Sequence, residues 1–202
     1  QPQSQTVSVG QSVSFNVAVK SIASATAVAA GNQHSLYLAT DGTLWAMGFN
    51  YNGQLGDGTT TNRSTPVQVS TGVSAVAAGT SHSMYLKTDG TLWVMGYNNY
   101  GQLGDGTTDQ RNSPVQVATG VSAVAAGVYH SVYVKTDGTL WAIGLNMQGQ
   151  LGDGTYTNRS TPVQIASGVS AMAAGSYHSL YLKTDGTLWA MGDNSAGQLG
   201  DG

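Results

Sequence analysis

An all-β fold assembled from repeated four-stranded units is what this sequence predicts, and three observations predict it. The 202 residues include 28 Gly and many Ser, Thr, Asn and Gln, while all ten acidic residues are Asp and none is Glu. That mixture is poor in helix formers and rich in turn formers. His34, His82, His130 and His178 are each 48 residues apart, as are Trp45, Trp93, Trp141 and Trp189. Each 48-residue unit also carries four short apolar stretches bounded by turn signals. A unit of this size is too small to bury a core alone, so it must stack on its copies. Four antiparallel strands per unit, repeated about four times, describe blades of a β-propeller, present here as a partial ring or one completed by oligomerisation.

The unit Gly79 to Ala126 shows the elements in order. His82 to Thr88 and Thr91 to Gly96 flank Asp89-Gly90, the dipeptide that favours a type I′ hairpin turn. Pro114 to Val117 is a third strand, with Pro at its start, where no ladder donor is lost. Val121 to Ala126 is a fourth, nearly all Ala and Val, as an innermost strand needs where blades converge on the axis. Each blade therefore runs from the Val-Ser-Ala-Val-Ala-Ala strand at the axis through the His-Ser and Leu-Trp strands to the Pro-Val-Gln-Val strand at the rim.

Residues 21–202 form the propeller repeats, and residues 1–20 stand apart. Val7 and Val9, then Val13, Phe15, Val17 and Val19, alternate around Gly10 like strand residues. This stretch resembles the opening strands of bacterial immunoglobulin-like modules of secreted proteins. On a second reading it supplies the rim strand missing from the last unit, in the same chain or in a neighbour, and so removes an exposed edge. The chain starts at Gln1 without an initiator Met, as expected of a processed product or an excised fragment.

Charge and composition narrow the partners. Charged residues make up 8% of the chain, about a third of the usual share, and the formal net charge is -3. With no Lys or Arg cluster, nucleic acid is not an expected partner. There is no Cys, hence no disulfide or thiolate metal site, and no apolar run reaches the roughly 20 residues of a membrane span.

The repeated string AAGxxHSxYLKTDGTLWxMGxNxxGQLGDGT resembles the regulator of chromosome condensation repeat. The resemblance implies blades of roughly 50 residues that usually close into seven-bladed propellers, which at this period need about 336 residues. Met47, Met95, Ile143 and Met191 stand where many family members have Trp, a core exchange. The family's founding activity, nucleotide exchange on the small GTPase Ran with chromatin binding, does not come with the repeat itself.

The four histidines, each followed by Ser35, Ser83, Ser131 or Ser179, are read as structural hydrogen-bond donors to backbone, copied with the blade and too far apart to converge on one ion. Asp57, Asp105, Asp153 and Asp201 match neither a phosphate loop nor a calcium loop and are read as turn formers. Arg63, Arg111 and Arg159 are read as blade-to-blade or surface contacts. No catalytic residue, cofactor or metal site is assigned. Comparison of the units inside the chain shows where they differ: in the residues after AAG (Gln33, Ser81, Tyr129, Tyr177) and around the Asn before GQLG (Phe49 and Tyr51, Tyr97 and Tyr100, Leu145 and Met147, Asp193). In a four-stranded meander these connections emerge at one end, so the varied positions share one face. Its aromatic and adaptable polar content suits recognition of a protein or glycan, against the alternative of neutral drift. A non-enzymatic binding module, extracellular or at the cell surface, is the expected function, with self-assembly through the incomplete terminal blade as the alternative.

Overall fold

The computed structural model describes residues 24–201, and residues 1–20, with both readings made of them, lie outside that range. The described residues form strands, turns and bends without a helix, so no helix is long and apolar enough to cross a membrane. The first blade is β1 (Ala25–Ala30), β2 (His34–Ala39), β3 (Leu44–Gly48) and β4 (Arg63–Ser70). The second is β5 (Val73–Ala78), β6 (His82–Lys87), β7 (Leu92–Gly96) and β8 (Arg111–Ala118). The third is β9 (Val121–Ala126), β10 (His130–Lys135), β11 (Leu140–Gly144) and β12 (Arg159–Ala166). The fourth has three described strands, β13 (Val169–Ala174), β14 (His178–Lys183) and β15 (Leu188–Gly192). Strands pair antiparallel in chain order within each blade, as the repeat predicts.

Side-chain burial explains why strict alternation is weak in this sequence. A middle blade is covered on both faces by its neighbours, so β6 and β10 are buried along nearly their whole length. Leu36, Leu44, Ala46 and Leu55 of the first blade meet Val73, Tyr85 and Met95 of the second. Met84, Leu92, Val94 and Leu103 meet Val121, Tyr133 and Ile143 in the same way, and Val132, Leu140 and Leu151 meet Val169 and Tyr181. The cores thus lie between blades, and each blade has a face turned back to its predecessor and a face turned on to its successor.

Two local expectations are corrected. The hairpin at Asp89-Gly90 is not type I′, which needs two residues with positive φ. Only Gly90 has one, at 79°. Gly90 N donates to Lys87 O at 3.0 Å and Lys87 N to Thr91 O at 3.0 Å, so Thr88 and Asp89 make an ordinary turn and Gly90 the bulge after it. Asp89 Oδ1 accepts from Thr91 N at 2.9 Å, which holds a three-residue loop instead of a two-residue one. The rim strand is also longer than expected, beginning at Arg111, so Pro114 is inside it. Pairing slips between Val94-Val115 and Gly96-Arg111, and Pro114 sits in that irregular stretch, where no ladder donor is needed.

Candidate functional site

Three constellations carry polar chemistry, and the first is the seam between blades. His34 Nε2 lies 2.9 Å from Ser83 Oγ, His82 Nε2 3.0 Å from Ser131 Oγ, and His130 Nε2 2.8 Å from Ser179 Oγ. Each serine in turn donates to a backbone carbonyl of the preceding blade: Ser83 to Gln54 at 2.7 Å, Ser131 to Gln102 at 2.9 Å and Ser179 to Gln150 at 2.9 Å. A hydroxyl has one proton, so the imidazole must donate through Nε2 and keep Nδ1 unprotonated. Nδ1 is buried with no hydrogen-bond partner among the described residues. Burial pushes His34 and His130 down to about 4 and, with the neighbouring imidazoles His34 and His130 adding to it, pushes His82 down to about 3. The expected bond to backbone is therefore corrected: histidine bonds the next blade's serine, and the serine reaches the backbone. The polarity is the reverse of an activated nucleophile, because the imidazole donates a hydrogen bond to the hydroxyl oxygen and accepts none from it.

The second constellation is the GQLGDGT loop. Asn50 Nδ2 donates to Asp57 Oδ1 at 3.0 Å and to the carbonyls of Thr59 and Thr61 at 3.1 Å, while its Oδ1 accepts from Leu55 N at 2.9 Å. Asn98 and Asn146 make the corresponding bonds to Asp105 and Leu103, and to Asp153 and Leu151. The Asp carboxylates also take their own Arg: Arg63 Nε donates to Asp57 at 2.6 Å, Arg111 to Asp105 at 2.6 Å and Arg159 to Asp153 at 2.7 Å. Burial, the largest single influence, pushes the Asp57 carboxyl up, but the bonds from Thr59, Arg63 and Asn50 outweigh it and hold it below its ordinary value. The arginines thus clasp loops within one blade with 36–37% of each side chain exposed, which corrects the blade-to-blade alternative and leaves the surface one, and the aspartates organise turns as expected. These asparagines have a legible signal: Asn stands at that position in every unit, between residues that vary.

The third constellation is what the asparagines hold in place. Phe49 N donates to Gln33 O at 2.8 Å, Tyr97 N to Ser81 O at 2.9 Å, Leu145 N to Tyr129 O at 2.8 Å and Asp193 N to Tyr177 O at 2.9 Å. The two variable segments of every blade are therefore bonded side by side on one face. Across blades, Tyr97, Tyr100 and Tyr129 form a cluster with ring centroids 6.1, 5.7 and 5.0 Å apart. Burial, then the neighbouring phenols, pushes Tyr97 above its ordinary value. Phe49 and Tyr51 pair at 6.3 Å, with Tyr51 74% exposed. Met147 is 66% exposed, and Gln33 and Tyr177 also face solvent, whereas Ser81 is half-buried. Asp193 accepts from Ser195 and Gln198 within its own loop. Leu145 is only 5% exposed, a filler beneath the face and not a surface it offers. Tyr156, exposed in the β11 to β12 connection, is a further varied position outside those read from the sequence; its signal is that Thr60 and Thr108 stand at its place in other units. Near the axis a hollow is lined by Gly31-Asn32, Gly79-Thr80, Gly127-Val128 and Gly175-Ser176, one pair from each blade. Among the described residues no group of three His, Cys, Asp or Glu could hold a metal ion.

This architecture has solved counterparts. Human WBSCR16 superposes with a TM-score of 0.78 at 25% identity, over 90% of this chain and 50% of that one. Prp20p from Saccharomyces cerevisiae, whose binding properties to Gsp1p and histones have been described, superposes with a TM-score of 0.78 at 23% identity, over 92% of this chain and 49% of that one. The same yeast protein, RCC1 (Prp20), bound by Kap60 superposes with a TM-score of 0.75 at 23% identity, over 89% of this chain and 46% of that one. The chain thus spans about half the length of each of these structures. The RCC1-like domain family matches residues 3–202, nearly the whole length and all four histidine-serine units, so the chain belongs to that family.

Proposed function

We propose that the chain is a non-enzymatic recognition module that binds a protein or glycan through its variable loop face, outside the cell or at its surface. The observation that carries this reading is the Tyr97, Tyr100 and Tyr129 cluster, which bridges two blades, with Tyr51 and Met147 exposed on the same face. Clustered aromatic rings on loops pinned by buried Asn50, Asn98 and Asn146 offer contact area at little entropic cost on binding. Stacking faces and phenolic hydroxyls serve both sugar rings and peptide side chains. The extracellular placement is supported by the sparse charge and the Thr, Ser, Asn and Gly content. Binding of Gsp1p and histones is said of Prp20p, of which the chain matches about half, and is carried over to no residue here.

The test replaces Tyr51, Tyr100 and Met147 together by Ser and compares the variant with the wild-type chain on glycan and extracellular-protein arrays. Signals of the wild type are expected to fall about tenfold or more, as for loss of one or two anchor residues. Unchanged signals, with the variant folded, overturn the recognition reading.

A further inference from the structure

The ten tyrosines of the chain serve different ends. Tyr37, Tyr85, Tyr133 and Tyr181 stack on the tryptophan of their own blade, and Tyr51 pairs with Phe49. Among the described residues only Tyr97, Tyr100 and Tyr129 bring tyrosine rings together, all at the junction of the second and third blades. The repeat places Phe49, Asn52 and Ser81 at the corresponding positions of the first junction and Leu145, Gln148 and Tyr177 at those of the third. Neither of those sets holds two phenols. The nearest pair is Tyr100 and Tyr129, with ring centroids 5.0 Å apart and planes inclined by 49°. Two phenols joined carbon to carbon beside their hydroxyls are twisted in the same sense, because groups flanking the bond collide when the rings are coplanar, and their centroids stand only slightly nearer.

Both rings rise from fixed loops. Tyr100 N donates to Gln102 Oε1 at 3.1 Å, and buried Asn98 accepts from Leu103 N at 2.9 Å. Gly106 N, in the same connection, donates to Ser160 O of the third blade at 2.9 Å, which ties the second blade's loop to its neighbour. Tyr129 O accepts from Leu145 N at 2.8 Å, and His130 beside it is fully buried. Tyr100 and Tyr129 are themselves half-buried, so each keeps part of its surface open to solvent.

We propose that Tyr100 and Tyr129 form an oxidative cross-linking site, at which hydrogen peroxide acting through a haem peroxidase joins them as dityrosine and ties the second blade covalently to the third. Each phenol gives up one electron and its hydroxyl proton. The two phenoxyl radicals form one carbon-carbon bond at positions ortho to the oxygens. Each of those carbons then loses its hydrogen as a proton, and each oxygen regains one. The pair loses two hydrogens in all, which reduce the peroxide to two waters. Rings held in contact couple at an effective concentration that separate chains in dilute solution do not reach. The chain has no Cys and hence no disulfide, and this bond acts as one would, closing the loop from 100 to 129 and restricting the unfolded chain. No ligand takes part, so the reaction stands apart from the recognition reading.

Treating the dilute 202-residue chain with hydrogen peroxide and a haem peroxidase tests this. The product is expected to remain a single chain on a denaturing gel and to show dityrosine fluorescence. Cleavage after Lys87, Arg111 and Lys135 is expected to give fragments 88–111 and 112–135 joined, with the loss of two hydrogens, by mass spectrometry. Tyr100→Phe and Tyr129→Phe keep the ring and the circular dichroism of the wild type and are each expected to lose the joined fragment, whereas Tyr51→Phe keeps it. Wild-type chain oxidised in urea is expected to lose it as well, because the fold supplies the proximity. The cross-linked chain is expected to unfold at a higher urea concentration than the untreated one. A folded wild-type chain that gives no joined fragment, or that couples only between chains, overturns the proposal. So does a joined fragment that persists in Tyr100→Phe.

Discussion

The junction between the second and third blades and the open face of the fourth are built from the same residues, yet only one is a core. Leu92 and Leu188 occupy one position of the repeat; Leu92 is buried under the third blade and Leu188 faces solvent. His82 bonds Ser131 across the junction, while His178 meets no hydroxyl among the described residues. The difference teaches that a blade holds its own strands but not its own core, as expected of stacked repeats. It also separates what each residue does inside its blade from what it does for its neighbour.

Acid should break the comparison most strongly. The unfolded histidines take up protons below their ordinary value of 6.5, whereas His34 and His130 in the fold do so only near 4 and His82 near 3. Between those limits the unfolded chain binds more protons, so stability is full above pH 6.5 and falls as the pH drops. Three such groups together give a slope of about 4 kcal/mol per pH unit. Denaturant melts from pH 7.5 to 4.5 measure it, and His82→Gln should flatten the slope by about a third. A stability independent of pH in that window would contradict burial of neutral imidazoles.

Truncating the paired leucines comes next. Leu92→Ala should cost about 2–5 kcal/mol and Leu188→Ala, at an exposed position, less than about 1 kcal/mol. Equal costs in urea titrations would mean that the fourth blade is covered after all. Asp105→Ala is expected to cost about 2 kcal/mol, because Thr107, Arg111 and Asn98 lose a shared acceptor on a carboxylate that is 5% exposed. Asp201→Ala, exposed and bonded to Asn194, should change thermal midpoint little. The smallest effect concerns the first blade. Lys87, Lys135 and Lys183 lie 5.0, 4.7 and 4.8 Å over Trp93, Trp141 and Trp189, and the first blade has Ala39 at that place. Ala39→Lys should therefore stabilise by about 0.5 kcal/mol, with the gain visible as a small upward shift in melting temperature.

Much of the fold and part of the site are legible in the residues. The 48-residue spacing of His and Trp places four blades, and the Ala and Val strands identify the axis because only small side chains fit there. The shared face of the variable segments follows from meander geometry, and the backbone bonds between Phe49 and Gln33 and their counterparts bear it out. Other features are illegible for a definite reason. Two-residue and three-residue turns both favour Asp-Gly, so Asp89-Gly90 alone does not separate them. That Leu145 is buried while Met147 is exposed depends on which side of a loop each one leaves, which hydrophobicity does not encode.

The repeat, the strand order within a blade and the positions that vary are written in the residues alone, because they depend on local chain stiffness, turn chemistry and periodicity. How blades meet is set by packing between them. Every unit carries both a histidine and a serine, so the string does not say whether His82 serves its own Ser83 or the next blade's Ser131. Stacking chooses the second, since a strand turns successive side chains to opposite faces and sends His82 and Ser83 to different neighbours. The same alternation repeats the bond at all three junctions among the described blades.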